Sequence, residues 1–207
     1  MYFVKTPWWL ALIYNKCVWH YSNKQKQLYL TFDDGPHPTI TPFVLQQLKK
    51  YNAKATFFCV GENVKKHPEI YQQIINDGHA VGNHTYNHLN GWKTPHNVYL
   101  QNIKAAANFI SSYLFRPPYG KISFKAIKQL TRQANNPYKI IMWDVLSGDF
   151  DVNLTADDCT NIVLKNTTNG SIIVYHDSEK AWDRLSVSLP KILEILGSKG
   201  FEFAAIY

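Results

Sequence analysis

From residue 28 onward, short β-rich apolar runs alternate with longer stretches whose apolar positions recur every three or four residues. The runs at 28–33, 55–60, 79–83, 114–116, 138–144, 171–176 and 201–206 read as strands. Helical spacing falls near 40–51, 68–77, 97–113, 123–134, 155–168 and 184–198, and "PEIYQQIINDG" carries the proline start and glycine stop of a helix. Strands that alternate with helices pair in parallel and predict an α/β architecture. Seven strands with no phosphate-binding glycine fingerprint after the first suit an open or closed barrel better than a dinucleotide fold. The stretches 132–138 and 178–184 read as loops, and the chain contains no internal repeat.

The pattern fails before residue 28. Residues 1–27 form an apolar, aromatic segment whose longest uninterrupted run, 6–14, is far shorter than the roughly 20 residues of a spanning helix. No small-residue cleavage site precedes Asn15-Lys16, which argues against a signal peptide. A segment packed on a single domain over 28–207 is the simpler account. Peripheral contact with a membrane interface through Trp8 and Trp9, beside Lys5, is the alternative.

At 207 residues and 45% hydrophobic, the chain suits one domain with a substantial core. Its charge of +7 is spread over scattered lysines and comes with no nucleic-acid motif, so a solvated surface explains it and no nucleic-acid partner is expected. Cys17, Cys59 and Cys159 are odd in number and widely spaced, so they read as buried free thiols rather than a disulfide framework or a cysteine zinc site. Free thiols and the missing signal favour the cytoplasm, with the cell envelope as the alternative. Nothing in the sequence fixes an oligomeric state.

Placed on this map, the unusual polar residues cluster. Asp33 and Asp34 end the first strand, His84 and His88 follow the third, Arg116 ends the fourth, Asp144 and Asp149 follow the fifth and His176 ends the sixth. All fall at C-terminal strand edges, where barrels of parallel strands build their active sites. His84 and His88 stand four apart, a spacing that on one helical turn points both imidazoles the same way. Two histidines and a remote carboxylate form a common metal set with positions left for water. Neighbouring side chains in a strand diverge, so Asp33 and Asp34 are expected to divide their work, one on a metal and one free as a base.

"TFDDGP" (31–36), "HTYNH" (84–88), "RPPYG" (116–120), "WDVLSGDF" (143–150) and "IVYHD" (173–177) occur in the order and approximate spacing of the five motifs of the polysaccharide deacetylases. The chain resembles that family, also called the NodB-homology domain or carbohydrate esterase family four, over about residues 28–206. The resemblance implies a deformed (β/α) barrel and one divalent metal, commonly zinc, with cobalt, nickel or manganese as alternatives. It carries Asp34, His84 and His88 over as ligands and Asp33 as general base. Arg116 would orient Asp33, the backbone N–H of Tyr119 would meet the developing oxyanion, and His176, partnered by Asp149, would protonate the leaving amine.

Two motifs depart from the family's pattern. The fourth usually runs aspartate, two residues, aspartate, tryptophan; here Leu146 holds the first position and Phe150 the last, while Asp149 is kept. In the fifth, Val174 stands where leucine is usual. These changes bear on pocket shape, for which Pro118, Tyr119, Phe150, Val174 and Trp92 are candidate lining residues, Trp182 being another aromatic near His176. The expected reaction is removal of N-acetyl groups from an amino-sugar glycan, peptidoglycan or a chitin-like oligomer. The alternatives are an O-acetyl esterase on a polysaccharide, an amidase on a small molecule, and a non-catalytic sugar-binding barrel, which would have no need of Asp33.

Overall fold

A computed structural model describes residues 2–21, 25–133 and 137–207. Its strands are β1 (Cys17–Val18), β2 (Gln27–Asp33), β3 (Ala55–Cys59), β4 (Ala80–Asn83), β5 (Leu114–Phe115), β6 (Lys139–Ile141), β7 (Val145–Leu146), β8 (Ile172–His176) and β9 (Glu202–Phe203). The first eight form one curled sheet in the order β1-β6-β5-β4-β3-β2-β8-β7, and β9 pairs with β2. Every pairing between these strands is parallel. Helices α1 (Trp8–Ile13), α2 (Ile40–Lys50), α3 (Gly61–Lys66), α4 (Pro68–Asn76), α5 (His96–Ala107), α6 (Phe124–Leu130), α7 (Ala156–Asn166) and α8 (Trp182–Ser198) complete the deformed barrel.

Strand alternation sorts β2 into two faces. Leu28, Leu30 and Phe32 join Val44 and Leu48 of α2 and Leu185, Leu189 and Ile192 of α8 in the main core. The helical spacing of those leucines is that of a buried stripe. Tyr29 packs instead with Phe58, Leu114, Ile141 and Ile172 in a separate cluster. Thr31 and Asp33 share Tyr29's parity, and one guanidinium nitrogen reaches both of them, so the inward face turns polar towards the C-terminal edge.

Two expectations need correction. The single strand over 138–144 is two short strands, because β6 pairs with β1 and β5 whereas β7 pairs with β8. Asp144, between them, does not face the C-terminal edge. It lies at the start of β7, where its carboxylate accepts from Ile172 N–H at 2.9 Å, Ser171 Oγ at 3.0 Å and Lys5 Nζ at 2.9 Å, and meets His20 Nδ1 at 3.0 Å. Four polar neighbours at that rim make it a structural clamp. Further, α3 fills the stretch between the predicted strand 55–60 and helix 68–77, α8 begins inside the predicted loop 178–184, and part of the loop 132–138 lies outside the described residues.

The N-terminal segment is woven into the sheet. Lys5 forms an antiparallel bridge with Val145, Cys17–Val18 pair with β6, and His20 bridges to Ser171. These contacts span the seam between the two ends of the strand order. Leu10, Ala11 and Tyr14 pack on the core, while Trp8, Leu12 and Ile13 are exposed. No helix among the described residues is long and apolar enough to cross a membrane.

Candidate active site

β2 ends at Asp33 because Asp34 adopts a left-handed backbone with φ 83°. Continued alternation would have sent Asp34 to the opposite face. Instead both carboxylates line one cavity of about 440 Å³. The turn that follows is held by Asp177, whose Oδ1 accepts from Gly35 N–H at 3.0 Å and whose Oδ2 accepts from Thr41 Oγ1. A Cβ at Gly35 would sit 2.1 Å from Asp177 Oδ2, so only glycine fits. Burial pushes the Asp177 carboxyl up to about 8 despite those hydrogen bonds.

His84 and His88 converge, but not on a helical turn as their spacing suggested. They lie in the loop after β4, where Thr85 has φ 65° and His88 φ 59°. Thr85 N–H donates to Asn83 Oδ1 at 2.8 Å and Tyr86 N–H to Asn102 Oδ1 at 2.8 Å, which fixes that path. His84 Nδ1 donates to the Arg116 carbonyl at 2.8 Å, and His88 Nδ1 lies 3.1 Å from the Tyr119 hydroxyl. Both Nε2 atoms therefore remain for Asp34, whose Oδ1 stands 3.1 Å from that of His88 and 3.8 Å from that of His84.

This Oδ1 is buried and makes no well-directed hydrogen bond among the described residues. A buried carboxylate oxygen facing two imidazole nitrogens, each ring anchored through its other nitrogen, could hold a metal ion. The one group of its kind found among the described residues is Asp34, His84 and His88, with ligand atoms within 4.8 Å of one another. Burial alone would raise the Asp34 carboxyl, but the imidazole of His88 beside it, with those of His176 and His84, holds it well below the usual range. Burial lowers His84 to about 4, which keeps its imidazole neutral.

Arg116 is fully buried and has all its visible partners in place. Its guanidinium donates to Asp33 Oδ1 at 2.7 Å, Thr31 Oγ1 at 2.6 Å, and the carbonyls of Ile141 at 3.1 Å and Met142 at 2.9 Å. The Phe58 ring lies 4.1 Å from its Cζ. A planar fork held at this many points fixes the Asp33 carboxylate firmly.

Asp33 and His176 are cross-strand partners on β2 and β8. His176 Nδ1 lies 2.8 Å from Asp149 Oδ1, and its backbone N–H donates to Asp149 Oδ2 at 2.7 Å. Arg184 Nε donates to the Asp149 carbonyl at 2.6 Å, which secures the far side of the pair. Burial would lower the His176 imidazole, but the Asp149 carboxylate overrides it and raises the group to about 10.

Tyr119 has φ 60° in the turn Pro118–Gly120. Gly120 N–H and Lys121 N–H close that turn onto Pro117 and Pro118, and among the described residues these bonds leave the Tyr119 N–H unused. Phe150 and Val174 line the cavity with Leu146. Trp92 lies in the wall of an adjoining cavity, Pro118 is buried in its turn outside the wall, and Trp182 packs edge-on to Phe43 at 5.1 Å. Tyr2, Trp143 and Lys180, none of them a candidate from the sequence, also line the cavity, and Asp177 and Arg184 stand behind it. Asp177 could have been found, since it ends the motif "IVYHD".

At the C-terminal edge of a curled parallel sheet the chain thus brings together a carboxylate-histidine pair and a cluster of one carboxylate and two imidazoles. A profile described as polysaccharide deacetylase matches residues 20–138, and the chain belongs to that family. It is similar to a peptidoglycan-N-acetylglucosamine deacetylase of Bacillus cereus at 39% identity, over 87% of this chain and 66% of that protein's length. A second B. cereus protein described in the same words is 34% identical over 91% of this chain and 90% of its own. The crystal structure of the Bc1960 peptidoglycan N-acetylglucosamine deacetylase with 4-naphthalen-1-yl-N-oxidanyl-benzamide aligns with TM-score 0.88 at 33% identity, covering 97% of this chain and 95% of that one.

Proposed function

We propose that the protein removes N-acetyl groups from N-acetylglucosamine units of a glycan, peptidoglycan first among them, with one divalent metal held by Asp34, His84 and His88. The observation that carries this reading is a base and an acid on neighbouring strands, Asp33 and His176, facing one cavity with the triad. The mixed oxygen and nitrogen donor set suits zinc and is compatible with cobalt, nickel or manganese. When bound there, the cation supplies Lewis acidity and makes a water easier to deprotonate. The ligand of the related crystal structure, an N-hydroxy amide, offers the paired oxygens that divalent cations favour.

The chain's own residues supply the rest. Asp33, held by Arg116, accepts the proton of the attacking water. The Tyr119 N–H, without a backbone partner among the described residues, stabilises the negative charge on the former carbonyl oxygen. An amine leaves poorly without a proton, and His176, kept protonated by Asp149, donates one to the sugar nitrogen. Phe150 and Val174 give the acetyl methyl an apolar wall.

Acetate release from N-acetylglucosamine oligomers and from acetylated xylan, measured side by side on zinc-loaded protein, tests the bond class. Release from the amino-sugar oligomers is expected. Release from xylan alone would replace the amide reading with an ester one.

A further inference from the structure

We infer that the N-terminal segment builds a second sugar subsite beside the catalytic cavity, which takes the neighbouring pyranose of the same glycan chain. The inference rests on the proposed glycan substrate and adds what holds its next ring. A cavity of about 520 Å³ adjoins the catalytic one and shares Tyr2, Tyr119, Trp143 and Leu146 with it. That volume lies within the roughly 300–1,000 Å³ of small-molecule sites. A ligand that left the catalytic cavity past Tyr119 would enter it directly.

Its chemistry suits a neutral polyol with apolar ring faces. Phe3, Trp9, Trp92 and Tyr119 line it and are 58%, 44%, 58% and 60% exposed, a concentration of aromatic surface that a soluble domain does not leave open without use. Among the described residues, Lys121 is the one charged residue of the wall and no carboxylate lines it. Trp92 is already set as a platform: its indole N–H donates to the Ile122 carbonyl at 3.0 Å and Lys121 Nζ lies 4.0 Å from the ring centroid. Its orientation needs no further ordering when a sugar face stacks on it. Trp9 comes from α1, whose own position depends on the seam made by Lys5 and Cys17–Val18. The apolar N-terminal segment thus gains a role in holding substrate as well as in closing the sheet.

The test is equilibrium binding by calorimetry on zinc-loaded Asp33→Asn protein, with the N-acetylglucosamine tetramer and disaccharide as probes. The tetramer should bind more tightly, and adding Trp9→Ala should cost it roughly 3- to 10-fold, the scale of one aromatic stacking contact. Trp9→Tyr should restore most of the loss. Trp8→Ala, on the same helix but outside the cavity wall, is the control and should leave the tetramer's advantage in place. Unchanged tetramer affinity in Trp9→Ala, with thermal stability intact, would overturn the inference. Binding is read without turnover, so an absence of acetate release from the unaltered protein would count against the proposed reaction and not against the subsite.

Discussion

Arg116 donates to Asp33 Oδ1 at 2.7 Å from a side chain with no exposure to solvent, and the same nitrogen bonds Thr31 two residues earlier on the inward face of β2. The proposed base is therefore fixed by an ion pair that the barrel interior encloses. Arg116→Ala would leave a buried carboxylate and two carbonyls without their donor, at a cost of about 3–5 kcal/mol. Arg116→Lys keeps the charge without the fork and should fall between Arg116→Ala and the unaltered protein. Chemical denaturation of the three proteins checks the order; an Arg116→Ala protein as stable as the parent would contradict it.

Asp149 should set the alkaline limit of activity. The His176 imidazole is raised above its ordinary 6.5 to about 10, so the proton is held through neutral pH and lost as pH rises through about 10. The stability that the pair contributes has the same sense: full below 6.5 and gone above about 10. Asp149→Asn removes the dominant carboxylate, so the falling limb of kcat/KM against pH should move towards neutrality. A limb that stays in place would assign the acid elsewhere.

The Tyr119 hydroxyl stands 3.1 Å from Nδ1 of His88, a proposed metal ligand. Tyr119→Phe should weaken zinc binding by roughly 10-fold, the lower end of the range for such partners because this residue is exposed. Competition with a chelating dye measures it, and unaltered affinity would show that His88 needs no such anchor.

The Asp144 clamp should matter for stability and not for chemistry. Asp144→Ala removes the shared acceptor of Lys5, Ser171 and the Ile172 N–H, a loss of about 2–3 kcal/mol. A fall in Tm of roughly 5–10 °C follows for a domain of this size. Turnover below the new Tm should stay within a few-fold, and a loss as large as that of Asp33→Asn would place Asp144 in the catalytic machinery.

The motif residues were legible in the sequence because short local patterns carry them: adjacent aspartates at a strand end, a histidine pair, and a strand-terminal histidine. The path by which they meet was not legible. Positive φ at Asp34, Thr85, His88 and Tyr119 puts non-glycine residues in a left-handed backbone that is uncommon for them, and in the loop after β4 hydrogen bonds to Asn83 and Asn102 enforce it. The split of 138–144 into β6 and β7, and the pairing of Cys17–Val18 with β6, are set by contacts distant in sequence. For the same reason Arg184, whose role is to hold a carbonyl 35 positions earlier, gave no local sign of it.

Two neighbouring aspartates are thus assigned different work, Asp34 with Oδ1 towards the histidines and Asp33 held by Arg116. Zinc affinity and acetate release from N-acetylglucosamine oligomers, measured on Asp33→Asn and Asp34→Asn in parallel, separate the two roles. Asp33→Asn should bind zinc as the parent does and lose turnover by roughly 10²–10⁴-fold, the worth of a positioned general base. Asp34→Asn should lose both. An Asp33→Asn protein that keeps its turnover, or an Asp34→Asn protein that binds zinc as tightly as the parent, would contradict the division of roles.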